Sequence, residues 1–182
     1  MEENDAHERI RDINVRASPE ELRRELVTLL PRLRRFARAL AGNRHDSDDL
    51  VQLALERALT RVEQLRPDAQ LASWMFGIVR NAWIDELRSR ARRTRVFAPE
   101  ELGENVGDAS QAAHLDAISV QDALGRLPEE QRAAVALVLI EGLSYKEAAH
   151  IMEVPIGTLT SRLARGREAL QTMLGETAGA LP

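Results

Sequence analysis

Apolar residues recur at helical spacing through almost all of this 182-residue chain, and no segment alternates like a strand for long. That periodicity predicts an all-α fold. Ser18-Pro19-Glu20-Glu21 is a helix start, with Ser at the N-cap, Pro at the first position and Glu at the third. Leu22, Leu26, Leu29, Leu30, Leu33, Phe36, Ala37 and Leu40 then keep one apolar face, with Pro31 expected to kink or divide it. Gly42-Asn43 ends this helix. Asp46-Ser47-Asp48-Asp49 places carboxylates at the start of the next, where the helix dipole favours them. That second helix should run to about residue 63, with Leu50, Leu53, Ala54 and Leu55 as contacts. A short loop at 64–70 and a third helix to about residue 93 come next.

The periodicity fails over 94–110, which carries Pro99, Gly103 and Gly107 and much acid, and reads as a flexible linker. Beyond it, helices are expected at roughly 111–125, 129–141, 144–152 and 156–174, with a fraying tail. The expected architecture is two small helical domains, 18–93 and 111–174, joined by a flexible acidic linker.

Composition removes several classes. The chain has no Cys, which excludes disulfides and Cys-ligated metal sites and fits a reducing compartment. The longest apolar run, 133–140, is too short to span a bilayer. The N-terminus is acidic and lacks the apolar core of a signal peptide. The chain therefore reads as cytoplasmic, without membrane insertion.

Its formal charge of −4 argues against nucleic acid only until it is divided. Residues 31–97 hold 14 basic and 8 acidic side chains, 98–122 hold 6 acids and no cation, and 123–182 hold 6 basic and 7 acidic. A basic block followed by an acidic strip suits a nucleic-acid binder with an acidic linker. Two ordinary helical domains on a solvated loop would show it too. Of the basic residues, 24 are Arg and one is Lys, and Arg is the better fork-shaped donor to phosphate.

Two segments carry chemistry. Ser144 and Glu147 form a capping box, Glu153-Val154-Pro155 stops the short helix they open, and a longer helix begins near Ile156. Short helix, turn and long helix make a helix-turn-helix. On its second helix Ile156, Leu159, Leu163, Leu170, Met173 and Leu174 share one sector, joined by Gly166. Thr158, Ser161, Ala164, Arg165 and Glu168 lie opposite, with Thr160, Arg162 and Arg167 on the flanks. Hydroxyls near a helix start with Arg beside them suit a helix in a major groove. A glycine is usual at the turn, where positive φ is needed, and here Glu153 stands there. The turn is either strained or built differently.

The second segment brings three of the six aromatic residues, Trp74, Phe76 and Trp83, within ten positions. At helical pitch Trp74, Asn81, Asp85, Arg88 and Arg92 form a stripe beside an apolar face of Leu71, Met75, Ile78, Val79 and Ala82. Aromatics next to Arg and Asn offer stacking surfaces beside phosphate ligands. Either Trp alone could equally be core, and Asp85 with Arg88 could be a weak surface ion pair.

These pieces, in this order, resemble the extracytoplasmic-function (ECF) group of bacterial sigma factors in the sigma-70 family. The resemblance is carried by Leu33-Arg-Arg-Phe-Ala-Arg-Ala-Leu40, Asp48-Asp-Leu-Val-Gln52, Trp74 through Arg88, Leu127-Pro-Glu-Glu-Gln-Arg132, Gly142-Leu-Ser-Tyr-Lys-Glu-Ala-Ala149 and Gly157-Thr-Leu-Thr-Ser-Arg-Leu-Ala-Arg-Gly-Arg167. It covers roughly 20–93 and 112–174, the second and fourth conserved regions. It implies a subunit that binds core RNA polymerase and directs it to promoter DNA. Asp49, Leu50, Gln52, Leu53 and neighbours to Leu59 would dock on a coiled coil of the largest polymerase subunit. Trp74, Arg80, Asn81 and Arg88, with Arg92 further along the stripe, would open the −10 element around a flipped base. Thr160, Ser161, Ala164 and Arg165 would read the −35 element, with Thr158, Arg162 and Arg167 beside them. An anti-sigma partner is expected. The chain departs from the family at Glu153 and in lacking bulky or basic side chains at Thr160 and Ala164.

No catalytic residue, cofactor or metal site is expected. His7, His45, His114 and His150 are scattered, and no phosphate-cradling glycine loop or catalytic triad spacing is present. The competing reading is a stand-alone helix-turn-helix regulator with an N-terminal sensing or dimerising domain. It leaves the paired Trp beside an Arg-rich helix end unexplained.

Overall fold

The computed structural model describes residues 19–61, 65, 70–97 and 119–178. Among these the chain forms seven α-helices and no strand: α1 Pro19–Ala41, α2 Arg44–Thr60, α3 Leu71–Phe97, α4 Val120–Arg126, α5 Glu129–Val135, α6 Tyr145–Met152 and α7 Ile156–Ala178. Between α5 and α6 the helix widens into a π-turn, Ala136–Ile140. Residues 98–118, which include most of the linker expected at 94–110 and the first part of the helix expected at 111–125, lie outside the described residues, as does the tail beyond 178.

Helix α1 is not divided at Pro31. Pro31 removes only the hydrogen bond to the Val27 carbonyl, and Val27 is 65% exposed, so water can replace it. Leu26 and Leu29 before the proline, and Leu33, Phe36 and Leu40 after it, are all buried, so the core holds both halves on one axis. The helix ends at Gly42, whose φ of +79° only glycine adopts freely; its N–H donates to the Arg38 carbonyl at 3.0 Å. Asn43 then caps α2, its side-chain oxygen accepting from the Asp46 N–H at 2.9 Å.

On α3 the apolar face Leu71, Met75, Ile78, Val79 and Ala82 is buried, together with Phe76 and Trp83. Phe76 meets Phe36 edge to face, with ring centroids 5.3 Å apart. This helix continues to Phe97, four residues beyond the expected end. Nothing in Thr94-Arg-Val-Phe97 opposes a helix, and the first breaker is Pro99.

In the C-terminal half the capping box of Ser144 and Glu147 is formed in full. Helix α5 approaches α7 at Gly166, where an added Cβ would lie 2.8 Å from Val135 Cγ2. Ile156, placed by periodicity on the apolar sector of α7, is 51% exposed. It sits in the first turn, ahead of the point where α7 meets α5.

Between α6 and α7, Glu153 adopts φ 55° and ψ 43°, the left-handed region. Its N–H donates to the His150 carbonyl (3.1 Å) and the Val154 N–H to that of Ala149 (3.0 Å), closing α6 as glycine would. The turn is therefore the usual one, made with a strained residue. Glu153→Gly should raise stability by about 1 kcal/mol, less the extra freedom glycine gives the unfolded chain. Denaturant unfolding reads this directly, and a destabilised variant would mean that Glu153 makes a compensating contact.

The two halves share one apolar core. Helix α1 packs against α4, α5 and the π-turn, and α3 packs against α6.

Candidate nucleic-acid interface

Helix α7 is seated by Leu159, Leu163 and Gly166, all buried. Thr160, Ser161, Ala164, Arg165 and Arg167 are exposed, and Thr158 is half-buried. The Thr160 hydroxyl donates to the Ile156 carbonyl (2.9 Å) and that of Ser161 to Thr158 (2.9 Å). With their protons turned to the helix, both present oxygen lone pairs outward, which suits exocyclic amino groups on base edges. Arg162 faces inward and pairs with Glu130 of α5.

On α3, Asn81, Arg88 and Arg92 are exposed and Trp74 is half-buried against the core. One expected site residue, Arg80, and one member of the stripe, Asp85, stand elsewhere. The Arg80 side chain is 8% exposed, with Nη2 3.5 Å from Glu130 Oε1 and a buried Nε that has no hydrogen-bond partner. It faces the C-terminal half because 80 falls one turn from Phe76 and next to Val79, on the buried side of the stripe. Asp85 pairs not with Arg88 but with Arg57 of α2, at 2.8 Å. Trp83 is core, and Arg90 lies over its ring at 5.6 Å.

The face of α2 is mixed. Asp49 and Gln52 are exposed, Leu59 is 55% exposed and Leu53 is partly buried. Leu50 is 4% exposed and belongs to the core: its neighbours in pitch, Val51, Ala54 and Ala58, are buried with it. Beside this face Asp46, Asp49, Leu50, Leu53, Trp83, Glu86 and Arg90 line a cleft of about 160 Å³. The hydrogen bond from Asn43, with help from Arg90, holds the Asp46 carboxyl below its usual range. On α5, burial and the adjoining Glu130 push the Glu129 carboxyl up.

Among the described residues no cluster of His, Asp or Glu could hold a metal ion, and no helix is long and apolar enough to cross a membrane. What the surface offers is a polar, partly cationic helix face in a helix-turn-helix. A second helix offers an aromatic followed by Asn and Arg on one stripe. A third presents a mixed apolar and acidic face.

Two families match this arrangement: Sigma-70 region 2 over residues 26–93 and Sigma-70, region 4 over residues 117–170. The chain is 37% identical over 153 residues to the ECF RNA polymerase sigma factor EcfG of Rhodopseudomonas palustris, covering 84% of each. It is 39% identical over 144 residues to the ECF sigma factor SigM of Mycobacterium tuberculosis, covering 79% of this chain and 71% of that one. The fold is similar to that of the sigma factor RpoE of Bartonella quintana, solved with the anti-sigma factor NepR. That match has a TM-score of 0.71 and 31% identity, over 84% of this chain and 96% of the other.

The chain belongs to the ECF RNA polymerase sigma factors of the sigma-70 family. Its function is that of a sigma factor, directing transcription to promoters.

Proposed function

We propose that the work of this sigma factor is divided between the domains at 18–93 and 111–174. Helix α7 reads the −35 element through Thr158, Thr160, Ser161, Ala164, Arg165 and Arg167. Helix α3 opens the −10 element with Trp74, Asn81, Arg88 and Arg92. Helix α2 docks on the coiled coil of the largest subunit of core polymerase through Asp49, Gln52, Leu53 and Leu59. The observation that carries this reading is the outer face of α7: small and hydroxylated side chains with Arg165, above a helix seated by Leu159, Leu163 and Gly166. Arg80 and Arg162 reach DNA only after leaving Glu130, and Leu50 supports the docking face from below. An anti-sigma partner agrees with the pairing of the B. quintana factor with NepR.

The charge distribution adds a qualification. Lys146, Arg162, Arg165 and Arg167 stand against Glu147 and Glu153 in the helix-turn-helix, a small local excess inside an acidic chain. Phosphate attraction is weak in sum, so the free chain should hold duplex poorly and depend on polymerase to place it.

The decisive experiment is in vitro transcription with core polymerase, with and without the chain. Promoter-dependent initiation and co-purification with core are expected; failure of both would sink the reading. Arg165→Ala should weaken −35 binding about tenfold, as loss of one specific arginine contact does, and leave core affinity unchanged. Equal loss of both would mean that α7 is not the reader.

A further inference from the structure

The polar group buried most deeply between the two halves is Glu141, whose side chain is 0% exposed. Two arginines of α1 hold it. Arg32 Nε donates to Oε2 at 3.1 Å and Arg32 Nη2 to the Glu141 carbonyl at 3.1 Å. Arg35 Nε donates to Oε1 and Nη2 to Oε2, both at 3.2 Å. Five residues of π-turn immediately precede this glutamate, and its N–H closes that turn on the Ala136 carbonyl at 3.0 Å. A π-turn takes up one residue more than an α-turn, so it rotates the residues beyond it about the helix axis. Here it delivers Glu141 to α1. Nearby, Gln121 donates to the Arg38 carbonyl at 2.7 Å. On the other side of the contact Arg80 of α3 and Arg162 of α7 share Glu130.

The result is a closed molecule in which the two DNA-reading helices are one glutamate apart. That arrangement cannot serve a promoter. The −35 and −10 elements are, by their names, some 25 base steps apart, about 85 Å along a duplex at 3.4 Å per step. With α3 packed on α6, the reader of one element cannot reach the other.

We propose that Glu141, gripped by Arg32 and Arg35, is an internal latch that keeps the free chain closed and unable to span promoter DNA. The division of DNA reading between α3 and α7 is taken from the proposed function; the latch itself rests on the contacts. Its chemistry suits a reversible device. A buried ion pair gains little net stability, because both partners recover water when they separate, yet it disfavours the closed form strongly once one charge is lost. In the closed form Asp49, Gln52 and Leu59 of α2 remain exposed. Core polymerase can therefore engage a latched molecule.

The test uses the full chain. It has no Cys, so Thr60→Cys and Thr172→Cys, both at exposed positions, admit a dye pair reporting the separation of the halves. The otherwise unaltered chain should show one high-transfer state. Glu141→Gln should populate a low-transfer state and tighten binding to a duplex carrying both elements at promoter spacing about tenfold, since apparent affinity scales with the competent fraction. A lone −35 duplex should bind as before, because its reading face on α7 is exposed in the closed form. Arg35→Glu attacks the same contact from its exposed side and serves if the first variant loses helicity. Pairing it with Glu141→Arg should restore closure. Low transfer in the chain with an intact latch, or unchanged transfer in both single variants, would overturn the latch. Opening without any gain in affinity for the two-element duplex would overturn its inhibitory role. The Arg165→Ala experiment independently judges whether α7 is the reader.

Discussion

Phe36→Ala should lower the stability of the whole chain by about 3–5 kcal/mol, the range for truncating a fully buried aromatic. Phe36 is 0% exposed and its ring meets Phe76 edge to face. The substitution removes transfer energy, opens a cavity and ends a pair interaction of about 0.5–1.5 kcal/mol beyond area. Phe76 also lies beneath the Arg32 guanidinium, 5.3 Å from its centroid, so the loss reaches the side chain that holds Glu141. Because α1 packs on both halves, a probe in α2 should lose this stability in denaturant and a probe in α7 the smaller part that contact with α1 contributes. A drop below about 1 kcal/mol in α2, or a C-terminal probe that does not move at all, would mean that α1 lends the C-terminal half no stability and that the core is not shared.

What the sequence shows well is whatever depends on neighbours a few residues away. The apolar face of α3, from Leu71 to Ala82, follows from pitch alone. The Ser144–Glu147 box follows from a three-residue spacing. That the turn falls at Glu153 is legible too, while its left-handed conformation comes from the structure. The candidate DNA face of α7 is legible for the same reason: Leu159 and Leu163 define the inside, so Ser161, Ala164 and Arg165 must be outside.

The misses share one cause, which is contact between residues far apart in the chain. Glu141 comes after an apolar run and precedes Gly142-Leu-Ser144, which by local rules makes it a solvated residue at a helix end. Its partners are 106 and 109 positions away. Arg80 lies beside an exposed stripe in α3, and only the arrival of α5 turns it into a buried ion-pair member. Leu50 sits among carboxylates, and only the packing of α2 between α1 and α3 places it in the core. Pro31 carries a local penalty that five buried side chains on α1 overcome. Periodicity reports which face of a helix is apolar. It is silent on which polar residue a second helix will cover.

The other large effect concerns Trp74. Trp74→Ala should reduce opening of the −10 element about 100-fold while leaving −35 duplex binding within about twofold. Stacking of a base on an aromatic contributes roughly 1–3 kcal/mol, and base flipping itself costs a few kcal/mol that such contacts must offset. Trp74 occupies the first turn of α3, its N–H donating to the Gln70 carbonyl at 3.1 Å. The ring is half-buried, so one part packs on the core while another remains open to an unstacked base. Asn81, two turns on, and Arg88, two turns beyond that, continue the same stripe toward the displaced strand. Some loss of stability will accompany the truncation, which is why duplex binding must be measured alongside. Trp74→Phe separates the two effects, keeping an aromatic face in the same place and recovering most of the opening. Permanganate reactivity of −10 thymines reads the outcome in the assembled polymerase complex. An unchanged footprint in Trp74→Ala would move the strand-opening surface away from the first turn of α3, and Asn81 and Arg88 would then be phosphate contacts alone.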